Sequence, residues 1–153
     1  MLDALKTAGY FSNKYQLTFG KEIDEMKLHK LLYFFLRECF VENEKAGIEI
    51  SFEARQYGPV SLEIRETYKD HKAYPLPLPE DLKCYQTIMD RVFNNYAAKS
   101  SWSLSSITHG EESWMNARER YHHGQEASLR LEDIKKDASR IRIRRYILNE
   151  STT

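Results

Sequence analysis

At 153 residues the chain is long enough to form one domain with a proper hydrophobic core. Hydrophobic residues make up 41% and charged residues 30%, the balance of a globular chain rather than a disordered one. Lys and Arg together number 23, as do Asp and Glu, so no global basic field draws the chain to nucleic acid or to a membrane. The opening stretch, MLDALKTAGYFSNKYQ, holds no long apolar core and no small-residue cleavage site, and does not read as a secretory signal. A cytoplasmic setting follows, in which Cys39 and Cys84, far apart and in no CxxC pattern, stay reduced.

Residues 3–16 read as a first helix, with Leu5, Ala8 and Phe11 or Tyr10 forming a partial apolar stripe. Asp24 is a natural N-cap for a second helix over residues 25–43. Within it LLYFFL, residues 31–36, is apolar without a break. Such a run covers every face of a helix, so this one is expected to pass through the middle of the domain with Leu31, Leu32, Phe35 and Leu36 buried. The longer run LHKLLYFFLRECFV is too short and too charged to span a bilayer.

IEISFEARQY then alternates Ile48, Ile50, Phe52 and Ala54 with polar residues, the period of a short strand or strand pair. In YGPV, Gly58 permits an unusual backbone angle and Pro59 suits a first helical turn, so a third helix is predicted over residues 59–68. YPLPLPEDL is an extended, locally stiff connector whose leucines are available for packing. A fourth helix is predicted over 79–98, then short capped helices through SSWSLSSITHGEESWMNAR. HHGQEAS reads as a surface loop. A last helix covers 131–148 with Ile134, Ala138, Ile141 and Tyr146 or Ile147 inward. The fold class is therefore mainly α: a single compact helical domain over residues 1–150, with a central buried helix, a small β element and a C-terminal tail at 151–153.

Candidate chemistry is sparse. His109, Glu111 and Glu112 are close in sequence, and His122 and His123 follow in the polar loop. No HExxH or paired-Cys spacing accompanies them, so no metal site and no cofactor are expected. An acid–base pair of His109 and Glu111 defines the alternative of a small enzyme, yet no GxSxG frames a serine and no phosphate cradle is present. Helix capping and core attachment are the simpler roles, and no catalytic residue is assigned. Cys39 lies in a greasy helix and reads as core. Lys135, Lys136, Arg140, Arg142, Arg144 and Arg145 give the last helix a basic surface, the basis of a second alternative, a nucleic-acid-binding regulator. No aromatic residues are interleaved with them for stacking, and a charged helix face is ordinarily solvated.

Three blocks taken in order say more than any one: MKLHKLLYFF, FEARQYGPV and ITHGEESWMNAR. Together they resemble the SocA/Panacea antitoxin-associated domain. That family shows a KLQKLLYFA-like helix, an EAWxYGPV-like segment and an LTHxExPWxxAR-like block. The resemblance spans residues 4–148. Lys27, Leu28, Lys30, Leu31, Leu32 and Tyr33 stand at the first block. Glu53, Ala54, Tyr57, Gly58, Pro59 and Val60 stand at the second, and Thr108, His109, Glu111, Trp114, Ala117 and Arg118 at the third. His29 replaces a glutamine, Arg55 a tryptophan and Ser113 a proline.

The resemblance implies an antitoxin-like protein that binds and neutralises a cognate toxin, with an origin in a prophage or another mobile element. One branch of the family works as a proteolytic adaptor for a Clp-type protease. Arg55, Glu63, Glu66, His122 and His123 are the candidate partner-binding residues, because core periodicity does not demand them.

Overall fold

A computed structural model describes residues 1–122 and 127–152. The chain runs β1 (Leu2–Asp3), α1 (Ala4–Phe19), α2 (Glu25–Asn43), β2 (Ile48–Glu49), β3 (Glu53–Arg55) and β4 (Gly58–Val60). It continues with α3 (Leu62–Lys69), α4 (Pro79–Leu82), α5 (Gln86–Tyr96), α6 (Ser101–His109), α7 (Glu112–Glu119) and α8 (Leu131–Thr152). The architecture is mainly α with two small strand pairs, as the patterning predicts. Among the described residues no helix is long and apolar enough to cross a membrane.

The second helix is the axis of the fold. The Asp24 carboxylate accepts from the backbone N–H of Lys27 and fixes its start. Every residue from 27 to 41 is buried. Helices α5 and α8 pack along it, and α1, α3 and α6 cover the rest of its surface. The expected core residues Leu31, Leu32, Phe35 and Leu36 are all inside, and Cys39 joins them as a free thiol that burial pushes up to about 12. Cys84 is exposed and also free. Helix α1 begins one residue after its cap, Asp3, which accepts from the Lys6 N–H.

The β element departs from expectation in a way that matters for the site. IEISFEARQY holds two short strands, and they pair with other segments rather than with each other. Ile48–Glu49 pairs in parallel with Leu2–Asp3, while Glu53–Arg55 pairs antiparallel with Gly58–Val60. The register is Glu53↔Val60, Ala54↔Pro59 and Arg55↔Gly58, leaving Gln56-Tyr57 as the hairpin loop. Gly58 has φ +119° and takes the sharpest part of the return. Thus Pro59 lies within a strand and does not open the third helix, which starts at Leu62 after Ser61. Residues 127–129 run along the other edge of β3, with Ala54 N–H donating to Ala127 O and Leu129 N–H to Phe52 O.

Three further expectations are corrected. The fourth helix is two, because the chain turns at residues 83–85 between α4 and α5. Leu76 and Leu78 in the proline-rich connector are exposed, so they do not anchor it. The Tyr74 hydroxyl does, donating to Ile64 O, while the Pro75 carbonyl lies directly against Gly9 of α1. In α8 Ile134 and Ala138 are buried and Ile141 is partly so, but Tyr146 and Ile147 are exposed.

Candidate functional site

The sequence blocks that are far apart in the chain meet at the β3–β4 hairpin. Three consecutive hairpin carbonyls are held by side chains of α6 and α7. Arg118 Nη1 donates to Ala54 O at 2.9 Å, Trp114 Nε1 to Arg55 O at 2.8 Å, and His109 Nε2 to Gln56 O at 2.9 Å. The His109 ring stacks on Trp114 with centroids 4.3 Å apart. Because a carbonyl only accepts, His109 carries its proton on Nε2. Behind the hairpin, Gly58 lies on Lys30 of α2 and Thr108 of α6. The Thr108 hydroxyl donates to Ser105 O. The third block therefore holds the second in place against the first.

The first block carries an unusual load of buried polar groups. A buried charge costs several kcal/mol unless it is paired, and nearly all of these are. Lys27 Nζ donates to Ala97 O, 2.9 Å, and to the Tyr15 hydroxyl. Arg37 forms an ion pair with Glu111 and donates to the Tyr96 hydroxyl at 2.9 Å. Glu38 receives Arg145 on both oxygens, at 2.5 and 3.0 Å. Tyr33 is fully buried with its hydroxyl 3.0 Å from Ser113 Oγ. His29 Nδ1 accepts from the Ser61 N–H, so Nε2 bears the proton and donates to Glu25, 2.9 Å away. Burial holds the His29 ring below its ordinary pKa of 6.5, and it is neutral.

Lys30 is the exception. It is 1% exposed, yet its Nζ has no hydrogen-bond or ion-pair partner among the described residues. It lines a cleft of about 450 Å³ with Glu25, His29, Arg55, Tyr57 and Arg65. Arg65 Nε donates to Glu25 at 3.0 Å, and Arg55 pairs with Glu53 at 2.6 Å. At the rim the Tyr57 ring meets Trp102 edge to face, centroids 5.1 Å apart, with Tyr57 42% and Trp102 62% exposed. Leu62 is exposed as well. The hairpin face thus offers aromatic and arginine side chains around a cationic recess.

The sequence-predicted residues sort clearly on this frame. Leu31, Tyr33, Gly58, Pro59, Val60 and Thr108 are buried parts of the scaffold, as is Lys27. His109, Trp114 and Arg118 hold the hairpin, and Glu111 is tied to Arg37. Of the candidate contact residues, Arg55 lies in the cleft with Tyr57. Glu63 and Glu66 are exposed on α3, but Glu63 faces a different, acidic cleft with Glu49 and Glu53. His122 is exposed, and His123 lies outside the described residues.

His109 and Glu111 make no contact with each other among the described residues, because each is engaged elsewhere. No group of three metal-ligating side chains gathers among the described residues. Three of the six basic residues of α8 have internal partners: Arg140 pairs with Glu112, Arg142 donates to the carbonyls of Phe40 and Val41 at the end of α2, and Arg145 serves Glu38. Sequence reasoning missed Asp137, which is buried and accepts from the N–H groups of Glu112 and Ser113, capping α7 from α8. Its signal was weak: an acidic residue amid basic ones on a charged helix.

Glu25 carries a pH signature. The hydrogen bond from His29, reinforced by Arg65 and opposed by burial, holds its carboxyl down at about 2 against an ordinary 4.5. The native state therefore favours the ionised form. This stabilisation is complete above pH 4.5 and is lost as pH falls to about 2. In Glu25→Gln the decline of stability over that window should be shallower than in the wild type, measured by urea unfolding at a series of pH values. Equal slopes would mean that Glu25 is not tied to His29 and Arg65 in solution.

Residues 28–115 match the family described as Antitoxin SocA-like, Panacea domain. That span is more than half of the chain and holds most of the three sequence blocks, with Lys27 just before it and Arg118 just after. No curated protein and no solved structure matches the chain.

Proposed function

This chain belongs to the SocA-like, Panacea-domain antitoxin family, and we propose that it neutralises a cognate toxin, encoded beside it, by binding that protein directly through the hairpin face. The observation that carries this reading is the exposed Trp102–Tyr57 pair beside the arginines of the Lys30 cleft. Tyr, Trp and Arg are the side chains that most often dominate the energy of a protein interface. The hairpin that presents Tyr57 is held at three successive carbonyls, so little conformational freedom remains to be lost on binding. A specific interface of ordinary size buries on the order of 1,600 Å², and Arg55 and Arg65 of the cleft add to the face that Tyr57 presents.

The chain acts in the cytoplasm through its surface and turns over no substrate. His109 and Glu111, the residues an enzyme reading needs, serve the hairpin and Arg37 instead. Nucleic-acid binding through α8 is disfavoured by the internal duties of Arg140, Arg142 and Arg145.

The test is co-expression with the neighbouring gene, scoring growth and then co-purification. Rescue with a stable complex is expected, and Trp102→Glu should abolish both while leaving the melting temperature unchanged. Rescue accompanied by disappearance of the toxin would identify the chain as an adaptor for a Clp-type protease. A toxic neighbour that is neither bound, degraded nor neutralised by the wild-type chain overturns the assignment.

A further inference from the structure

Among the described residues the ammonium of Lys30, buried in α2, has no hydrogen-bond or ion-pair partner, and the surroundings give that a meaning. The other charges around the cleft are matched. Glu25 receives both His29 and Arg65 on one oxygen, and Glu53 receives Arg55. Asp24, whose field also reaches Lys30, is occupied by the Lys27 N–H and the Ser101 hydroxyl. The cleft is left with one ammonium that no carboxylate among the described residues reaches. Its position is enforced from behind. A methyl group on Gly58 would sit 2.8 Å from Lys30 Cε and 3.0 Å from Nζ, so the backbone of the hairpin lies directly on the end of the lysine. Burial draws the ammonium down to about 8, which leaves it charged at neutral pH. The ammonium itself keeps contact with the open recess, and a largely desolvated cation at the floor of such a recess has a place ready for an anion.

We propose that this recess is the socket for one carboxylate of the bound toxin, an Asp or Glu side chain or the chain's C-terminal carboxylate, held by Lys30 inside the ring of Tyr57, Trp102 and Arg65. The proposal rests on the toxin-binding reading above and deepens it. Charge complementarity selects the occupant. A single unmatched ammonium suits a monoanion, whereas a phosphate group brings nearly two charges. The exposed aromatic rim suits a protein surface and would exclude water from the ion pair once the partner is seated, which strengthens it.

Lys30→Met tests the socket, since it keeps the apolar stem and removes only the charge. The variant should melt no lower than the wild type, because an uncompensated buried charge has been removed. Sodium acetate, compared with chloride at equal ionic strength, should raise the melting temperature of the wild type and not of Lys30→Met. The toxin from the neighbouring gene should bind Lys30→Met at least about 30-fold more weakly. One toxin carboxylate, removed by Asp→Asn, Glu→Gln or C-terminal truncation, should weaken binding to the wild type but not further to Lys30→Met.

Wild-type affinity in Lys30→Met, with binding lost in Trp102→Glu, would leave the face as the toxin site and overturn the socket. Protection of the wild type by inorganic phosphate and not by acetate would also overturn it, and that comparison needs no variant. If the wild-type chain fails to bind the toxin at all, the reading beneath the proposal fails, and this is seen before any change at Lys30 is made.

Discussion

Glu111→Ala lowers the stability of the chain by about 3–5 kcal/mol, the cost of leaving one partner of a buried ion pair behind. The argument starts from Arg37, which sits in the all-buried stretch of α2 with its side chain 4% exposed. Its guanidinium lies over the Phe34 ring, 4.9 Å from the centroid, and reaches Glu111 and the Tyr96 hydroxyl. Burial pushes the Glu111 carboxyl up while the Arg37 charge pulls it down. Burial prevails, so the carboxyl stays above its ordinary value, and the Arg37 charge is the main influence that favours its ionised form. Removing the carboxylate leaves the guanidinium, among the described residues, with the Tyr96 hydroxyl and aromatic faces as partners. For a chain of this length the loss corresponds to a fall of about 6–20 °C in melting temperature. Arg37→Met combined with Glu111→Leu should recover most of it, because a packed apolar pair is not penalised by desolvation. A loss below about 1 kcal/mol in Glu111→Ala, typical of a surface pair, would show that water reaches Arg37 freely.

Such pairs explain which parts of the fold were legible in the sequence. Helix α2 was read with its ends in place because two independent signals agreed, the Asp24 cap and an apolar run with no polar face. The buried charges of the same helix were not legible. Lys27, Lys30, Arg37 and Glu38 look like the polar side of an ordinary amphipathic helix, and only the packing of α5, α6, α8 and the hairpin converts that side into interior. Pro59 was placed in the wrong element for a local reason. A strand position needing no N–H donor and the first turn of a helix make the same demand on proline, so the residue itself cannot distinguish them. Tyr146 and Ile147 follow helical spacing, but they lie near the end of α8 and remain exposed.

For the candidate site, the ordering of three short blocks was the strongest sequence signal, and the structure gives its physical content. His109 at the end of α6, and Trp114 and Arg118 one turn apart on α7, each reach one of three consecutive carbonyls. All three are engaged with the hairpin backbone. Trp102, by contrast, belongs to no block and was passed over, since an exposed aromatic in a serine-rich stretch carries no period. It becomes visible only when α6 brings it to Tyr57.

Gly58→Ala joins these threads and is expected to cost roughly 2–6 kcal/mol. Two separate terms contribute. A non-glycine residue held at φ +119° pays about 1–3 kcal/mol in backbone strain. The added methyl also meets Thr108 Oγ1 at 2.6 Å and Lys30 Cε at 2.8 Å. Forcing extra volume into a packed site costs about 1–3 kcal/mol more. Gly20→Ala separates the two, because Gly20 also has positive φ, +72°, but has nothing within 4 Å of its would-be methyl. It should lose only about 1 kcal/mol, the strain term alone. The difference between the variants, read from chemical denaturation, therefore measures the contact of the hairpin with Lys30 and Thr108. Binding supplies a second readout. At Gly58 the methyl displaces the lysine from the floor of the cleft, so toxin affinity should fall with stability, whereas Gly20→Ala should leave affinity untouched. Equal losses of stability in the two variants would mean that the hairpin does not press on Lys30 in solution, and the steric account of Gly58 would then be wrong.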